Sequence, residues 1–279
     1  MKKVVLITGA SSGIGMEAAR LFAANGFVVY GAARRMERME PLKALGIHTL
    51  PLDVTDDASM VNCVRTLLER EGRIDVLVNN AGYGFFGAVE DVPMSDARNQ
   101  LEVNLFGMGR MVQLVLPAMR AQHAGRIINV ASLAGRIHMP FGAWYHATKF
   151  AVEGWSDALR YELKPFGIEV SIIEPGGIHT DWGLIAAQHL REVSSEGAYA
   201  QEATDMANLL QFAYSGNLLT DPRRVAKAIL RAGTRRRPRH RYLLGTFSHS
   251  GAFLRWLLGT RIYDSLIRCL LKLTRKIKY

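Results

Sequence analysis

Short runs rich in Val, Ile and Leu alternate along the chain with longer stretches in which apolar positions recur at helical spacing. The runs at 4–7, 28–31, 47–51, 76–78, 126–130 and 168–173 predict strands, and 13–24, 35–45, 57–70, 100–121 and 144–163 predict helices. Most of the strand runs are apolar at successive positions rather than at every second one, so both of their faces must be covered. Parallel strands supply that cover themselves, because each crossover lays a helix on the sheet. The pattern therefore predicts an α/β fold: a doubly wound parallel sheet of the Rossmann type over residues 1–245, with a helical lid at about 181–220 and an extension at 246–279.

Composition narrows the class. With 279 residues, 49% hydrophobic and 22% charged, the chain can bury a sizeable core, which excludes a disordered chain or a disulfide miniprotein. The two cysteines, Cys63 and Cys269, show no metal-ligand spacing, so no metal site is expected and a reducing, cytoplasmic setting fits. No stretch is long and apolar enough to span a bilayer, and no cleavable signal pattern opens the sequence. The net charge of +10 is unevenly placed: residues 222–279 hold 16 Lys and Arg against Asp264 alone, while the rest is net acidic. A basic field confined to one segment points to local attachment to something acidic rather than to nucleic acid.

The first strand run leads into TGASSGIG at 8–15. Gly9, Gly13 and Gly15 allow a tight turn and close backbone approach to a pyrophosphate at a helix N-terminus; the spacing differs from plain G-x-G-x-x-G. After the second strand stand Arg34 and Arg35, where an NAD-selective site would carry an acid. Their guanidiniums suit a 2'-phosphate, so NADP(H) is the expected cofactor, with Arg34 the main contact. Asp53, after the third strand, either accepts from the adenine amino group or shapes a turn.

Tyr145 and Lys149 stand one helical turn apart in YHATK, on one face. An ammonium beside a phenol would lower the phenol's pKa toward the working range. Together with NNAG at 79–82, VNLFG around Asn104, NVAS ending at Ser132 and PGGIHT at 175–180, this order of motifs resembles the short-chain dehydrogenases/reductases over roughly residues 3–180. The resemblance implies a catalytic tetrad of Asn104, Ser132, Tyr145 and Lys149. Tyr145 would be the general acid, Ser132 would bond the same oxygen, and Lys149 would bind the nicotinamide ribose with Asn104 helping to hold it. It also implies cofactor contacts at Gly9, Ser11, Ser12, Gly13, Ile14 and Gly15, and at Val54, Asn80, Ala81, Gly82, Pro175, Gly176, Ile178 and Thr180. A homo-oligomer is expected on the same ground. His146, just after the tyrosine, is expected to face solvent or a neighbour.

The region 181–220 follows the carboxyl edge of the sheet, where such folds bind ligands. Its apolar residues, Trp182, Leu184, Ile185, Met206, Leu209, Leu210, Phe212 and Tyr214, form either a substrate lining or a helix-packing face. With His138, Phe141 and Trp144 as further candidates beside Trp182, the lining favours a hydrophobic secondary alcohol or ketone, and the resemblance, most similar to hydroxysteroid or retinoid-type members, implies a steroid- or retinoid-like one. A 3-oxoacyl thioester reductase and a non-catalytic NADP(H)-sensing protein are the alternatives. From Arg261 onward, Ile262, Leu266, Leu270, Leu273 and Ile277 share one helical face, and Arg261, Arg268, Lys272 and Arg275 another. Such a helix lies either on an anionic membrane surface or against the body or a second subunit.

Overall fold

The computed structural model describes residues 2–216 and 218–274. Seven strands, β1 (Val4–Thr8), β2 (Val28–Ala33), β3 (His48–Pro51), β4 (Val76–Asn79), β5 (Gly125–Val130), β6 (Ile168–Pro175) and β7 (Arg241–Leu244), form one sheet in the order β3-β2-β1-β4-β5-β6-β7, parallel throughout. The crossovers are α1 (Gly13–Ala24), α2 (Glu40–Lys43), α3 (Asp57–Glu71), α4 (Met94–Leu101), α5 (Gly107–Ala121), α6 (Ala143–Leu163), α7 (Trp182–Ser194), α8 (Ala200–Ser215) and α9 (Pro222–Thr234), and the chain continues in α10 (Ser248–Thr274).

The continuous apolar runs are explained by the two layers they serve. Val4, Leu6, Leu77, Ile127 and Val170 point into one core with residues of α3, α5 and α6, while Val5, Ile7, Val78, Ile128 and Ile173 point into the other with α1 and α9. A third cluster joins the lid to the sheet's carboxyl edge: Ala186, Ala187 and Leu190 of α7 and Ala203, Met206 and Leu210 of α8 pack over Phe86 and Tyr145.

Four details depart from the sequence reading. Residues 36–43 form a 3-10 turn followed by one short helix, with Pro41 at its start, in place of a helix over 35–45. The helix expected at 100–121 begins earlier, at Met94, and is interrupted by a π-helical segment, Glu102–Phe106. Helix α9 and strand β7 were not foreseen, and they draw the start of the basic region into the fold: Arg241 pairs with Glu153 at 3.1 Å and also with Asp157. The C-terminal helix is present but broken at Gly259, and it docks through Tyr263, Ile267 and Leu271 rather than through the stripe of Ile262, Leu266, Leu270 and Leu273, which stays exposed. Ile277 and Arg275 lie outside the described residues.

Candidate active site

The carboxyl ends of β1, β4, β5 and β6 bring the motif residues to one edge. At β1 the turn into α1 needs glycine: Gly9 and Gly13 sit at φ 67° and 51°, and a Cβ on Gly15 would lie 2.4 Å from the Gly9 carbonyl. The turn is tied to β4, because Thr8 Oγ1 accepts from the Asn80 and Ala81 amides at 3.0 Å and Asn80 Nδ2 donates to the Thr8 and Gly9 carbonyls. Ser12 caps α1 by position but gives its first N–H groups no side-chain partner, leaving a helix end suited to an anion beside glycines that let the turn pack against Asn80, Ala81 and Thr180. A dinucleotide pyrophosphate fits these residues. Thr8 was missed as the residue that holds the cradle, although it opens the TGASSGIG motif.

Around this turn the other cofactor candidates take distinct places. Arg35 reaches the loop by donating to Ser11 Oγ at 3.4 Å, whereas Arg34 is exposed and lies 4.0 Å from Asp53. Asp53 Oδ1 accepts from the Thr55 amide and hydroxyl, so it shapes a turn. Burial would raise its pKa, but the Thr55 bonds and the Arg34 charge outweigh this and hold it low. Ile14 packs on the α1 side of the sheet, and Val54 is buried on the other face. Thr180 leans over Gly13, its Cγ2 within 3.2 Å of where a Cβ would be. Gly176 allows the chain after Pro175 to run against Thr246, and Ile178 is buried beside Thr220.

Asn104, Ser132, Tyr145 and Lys149 come together above the sheet, all deeply buried except Ser132, which is partly so. Ser132 begins a 3-10 turn, Leu133–Gly135, with its Oγ accepting from the Ala134 amide and facing the Pro175 carbonyl at 3.4 Å. Its hydroxyl also acts on the Tyr145 phenol, lowering the phenol's pKa. Lys149, one turn after the tyrosine in α6, donates to the Val130 carbonyl at 3.0 Å, and its Nζ lies 5.9 Å from the Tyr145 ring centroid. Asn104 sits in the π-helical segment, a rare form that favours functional positions. Its amide is fixed by the Tyr83 backbone at 3.0 and 2.9 Å and by Thr148 at 3.2 Å. Gly82 separates it from Lys149: a Cβ there would be 3.0 Å from Asn104 Oδ1 and 3.8 Å from Lys149 Nζ.

The electrostatics differ from the simple phenol–ammonium expectation. Burial pushes the Tyr145 pKa up to about 12, opposed by the Ser132 hydroxyl, and burial pushes Lys149 down to about 8 against the attraction of Glu153. Tyr145 is therefore a protonated donor at neutral pH. His146 is buried and bridges loops, with Nε2 accepting from the Met139 amide and Nδ1 facing the Ala134 carbonyl, so it faces neighbours rather than solvent.

Of the substrate candidates, Trp182 stands nearest the tetrad, its ring 5.0 Å from that of Tyr145 and 5.8 Å from those of Phe86 and Tyr214. Phe141, at φ 63°, joins the same cluster and faces Tyr199, while Trp144 is partly buried with its Nε1 unpartnered. His138 turns to α10 and pairs with Asp264 at 2.8 Å. In the lid, Met206 and Leu210 are packing residues, whereas Leu184, Ile185 and Phe212 are exposed.

The family model for short chain dehydrogenase matches residues 3–188. The chain belongs to that family of oxidoreductases. Among similar proteins, the 3-ketodihydrosphingosine reductase of Bacteroides thetaiotaomicron is 34% identical over 87% of this short-chain dehydrogenase and 88% of its own length. A short-chain dehydrogenase from Streptomyces avermitilis superposes with a TM-score of 0.80 at 30% identity, covering 100% of this chain and 99% of its own. Another, from Burkholderia phymatum, was solved with NAD; its TM-score is 0.77 at 26% identity, covering 92% of this chain and 93% of its own.

Proposed function

We propose that this short-chain dehydrogenase is an NADP(H)-dependent reductase that interconverts a hydrophobic ketone and its secondary alcohol. The observation that carries the reading is Tyr145, buried and protonated, with Ser132 acting to lower its pKa and Lys149 one turn behind it. Reduction of a carbonyl builds negative charge on its oxygen. Tyr145 gives that oxygen its proton, and the Ser132 hydroxyl holds it by a second hydrogen bond. The glycine turn and the uncapped start of α1 bind the pyrophosphate, Arg34 and Arg35 take the 2'-phosphate, Lys149 binds the ribose, and Asn104 keeps the Lys149 surroundings fixed. NADPH, when bound, supplies the hydride that the carbonyl carbon receives.

The apolar ring set of Trp182, Phe86 and Tyr214 beside the tyrosine favours a lipophilic substrate, as does the 3-keto long-chain substrate named for the Bacteroides relative. The preference for NADP(H) over NAD rests on the two arginines after β2. NADPH oxidation is to be followed over steroid, retinoid, long-chain 3-keto and 3-oxoacyl thioester substrates. Turnover is expected with a lipophilic ketone, and Tyr145→Phe should lower kcat by about a hundredfold or more while NADPH still binds. Binding without turnover across the panel, or a fully active Tyr145→Phe, would overturn the reading.

A further inference from the structure

Neither the sheet nor the tetrad accounts for the outer surface of α10. A helix advances about 100° per residue, which divides residues 260–274 into three stripes. Tyr263, Ile267 and Leu271 face the body. Ile262, Leu266, Leu270 and Leu273 form a second stripe, each at least 43% exposed, and Arg261, Arg268 and Lys272 form a third. Before the break at Gly259, Phe253, Leu254, Trp256 and Leu257 are exposed as well, Trp256 by 77%. An apolar patch of this length, edged with cations, is a binding surface rather than ordinary exposure.

Three occupants can be weighed by charge and polarity. A second copy of the chain would meet the patch with the same patch, setting Arg261, Arg268 and Lys272 against their equivalents, while Asp264, the only acid of 222–279, is already held by His138. Nucleic acid would satisfy the cations but leave Phe253, Trp256 and Leu266 facing phosphate and water. An anionic lipid surface meets both needs, with headgroups for the cations and the acyl boundary for the apolar stripe. We propose that the outer face of α10 docks on an anionic lipid bilayer, lying in its plane. No helix among the described residues is long and apolar enough to cross a membrane, which suits a helix that rests in the interface.

The inner stripe makes this docking relevant to the catalytic edge. Asp264 pairs with His138, and Tyr263 packs on the His138 ring at 5.2 Å, in the loop that runs from Ser132 to Tyr145. A docked α10 thus holds that loop at the lipid surface. This consequence rests on the catalytic reading; the docking itself does not.

Flotation of the full chain with vesicles of phosphatidylcholine alone, and of phosphatidylcholine mixed with phosphatidylglycerol, tests the proposal. The chain should float with the anionic vesicles, stay largely free of the neutral ones, and be released by salt. Trp256→Glu combined with Leu266→Glu should cut the bound fraction by about tenfold or more, and loss of each cation should cost about fivefold. The melting temperature of the double variant should match that of the parent, and Tyr145→Phe should float like the parent, which separates a failure of docking from a failure of the catalytic reading. The proposal is overturned if the full chain floats with neither vesicle, if it floats equally with both, or if the double variant floats undiminished. It is equally overturned if light scattering shows a dimer that the double variant dissociates while vesicles capture nothing.

Discussion

Burial that removes Tyr145 from water also keeps its proton in place, so the two titrating groups of the site separate: the phenol lies at about 12 and the Lys149 ammonium at about 8. Lys149 is cationic below about 8 and loses its charge above it, while Tyr145 stays protonated through that range. The kcat/KM for carbonyl reduction should therefore fall as pH rises through about 8, and Lys149→Arg, which keeps a charge there, should move that limb upward even at a lower rate. A profile flat through the Lys149 range would contradict the assignment. Arg34 and Arg35 offer a second residue-scale measurement. Replacing both by Ala should raise KM for NADPH by about tenfold to a hundredfold and leave KM for NADH nearly unchanged, because only the 2'-phosphate loses its charge-assisted hydrogen bonds.

Among the elements, the π-helical segment that carries Asn104 shows how tightly the site is built. Where it passes into α5, a Cβ on Gly107 would lie 2.2 Å from the Val54 carbonyl. Gly107→Ala should destabilise the fold by roughly 2 kcal/mol, read as a lower Tm, because backbone must shift to admit the methyl group. The strands were legible because burial on both faces leaves continuous runs such as Val4–Thr8, and the glycine turn and YHATK because each chemistry demands its residue types at fixed spacing. The π step at Asn104 was not legible, since it comes from hydrogen bonds to Tyr83 and Thr148 that no local pattern announces. Strand β7 was hidden for a different reason. It lies at the sheet edge, half-buried, and opens with Arg241, so it read as part of a basic run. Periodicity found the helix after Arg261 but not which stripe would face inward, because Tyr263 and Asp264 are selected by His138 across the fold.

The molecule as a whole is joined at its far edge by a buried charge cluster. Glu174 on β6 is fully buried and paired with Arg136 at 2.6 Å, and Arg241 on β7 spans Glu153, Asp157 and Glu174. Burial and the neighbouring Glu174 raise Glu153 well above the ordinary carboxylate range, so the folded chain binds a proton at this pair of carboxylates more tightly than the unfolded chain. A raised carboxyl stabilises fully below its unfolded pKa, and that contribution is lost as pH climbs through the raised folded value. Tm should accordingly decline across this window, and Glu153→Gln, which imitates the protonated carboxyl, should make the decline shallower; an unchanged slope would remove Glu153 as its source. Gly259, at φ 63° and ψ −176°, holds a conformation open essentially to glycine alone, and it divides α10 into two shorter helices, the second of which carries Tyr263 and Asp264 to His138. A side chain at that joint should strain the turn and loosen the contacts of Tyr263 and Asp264 with His138. The grip between α10 and the loop leading to Tyr145 thus depends on one missing methyl group.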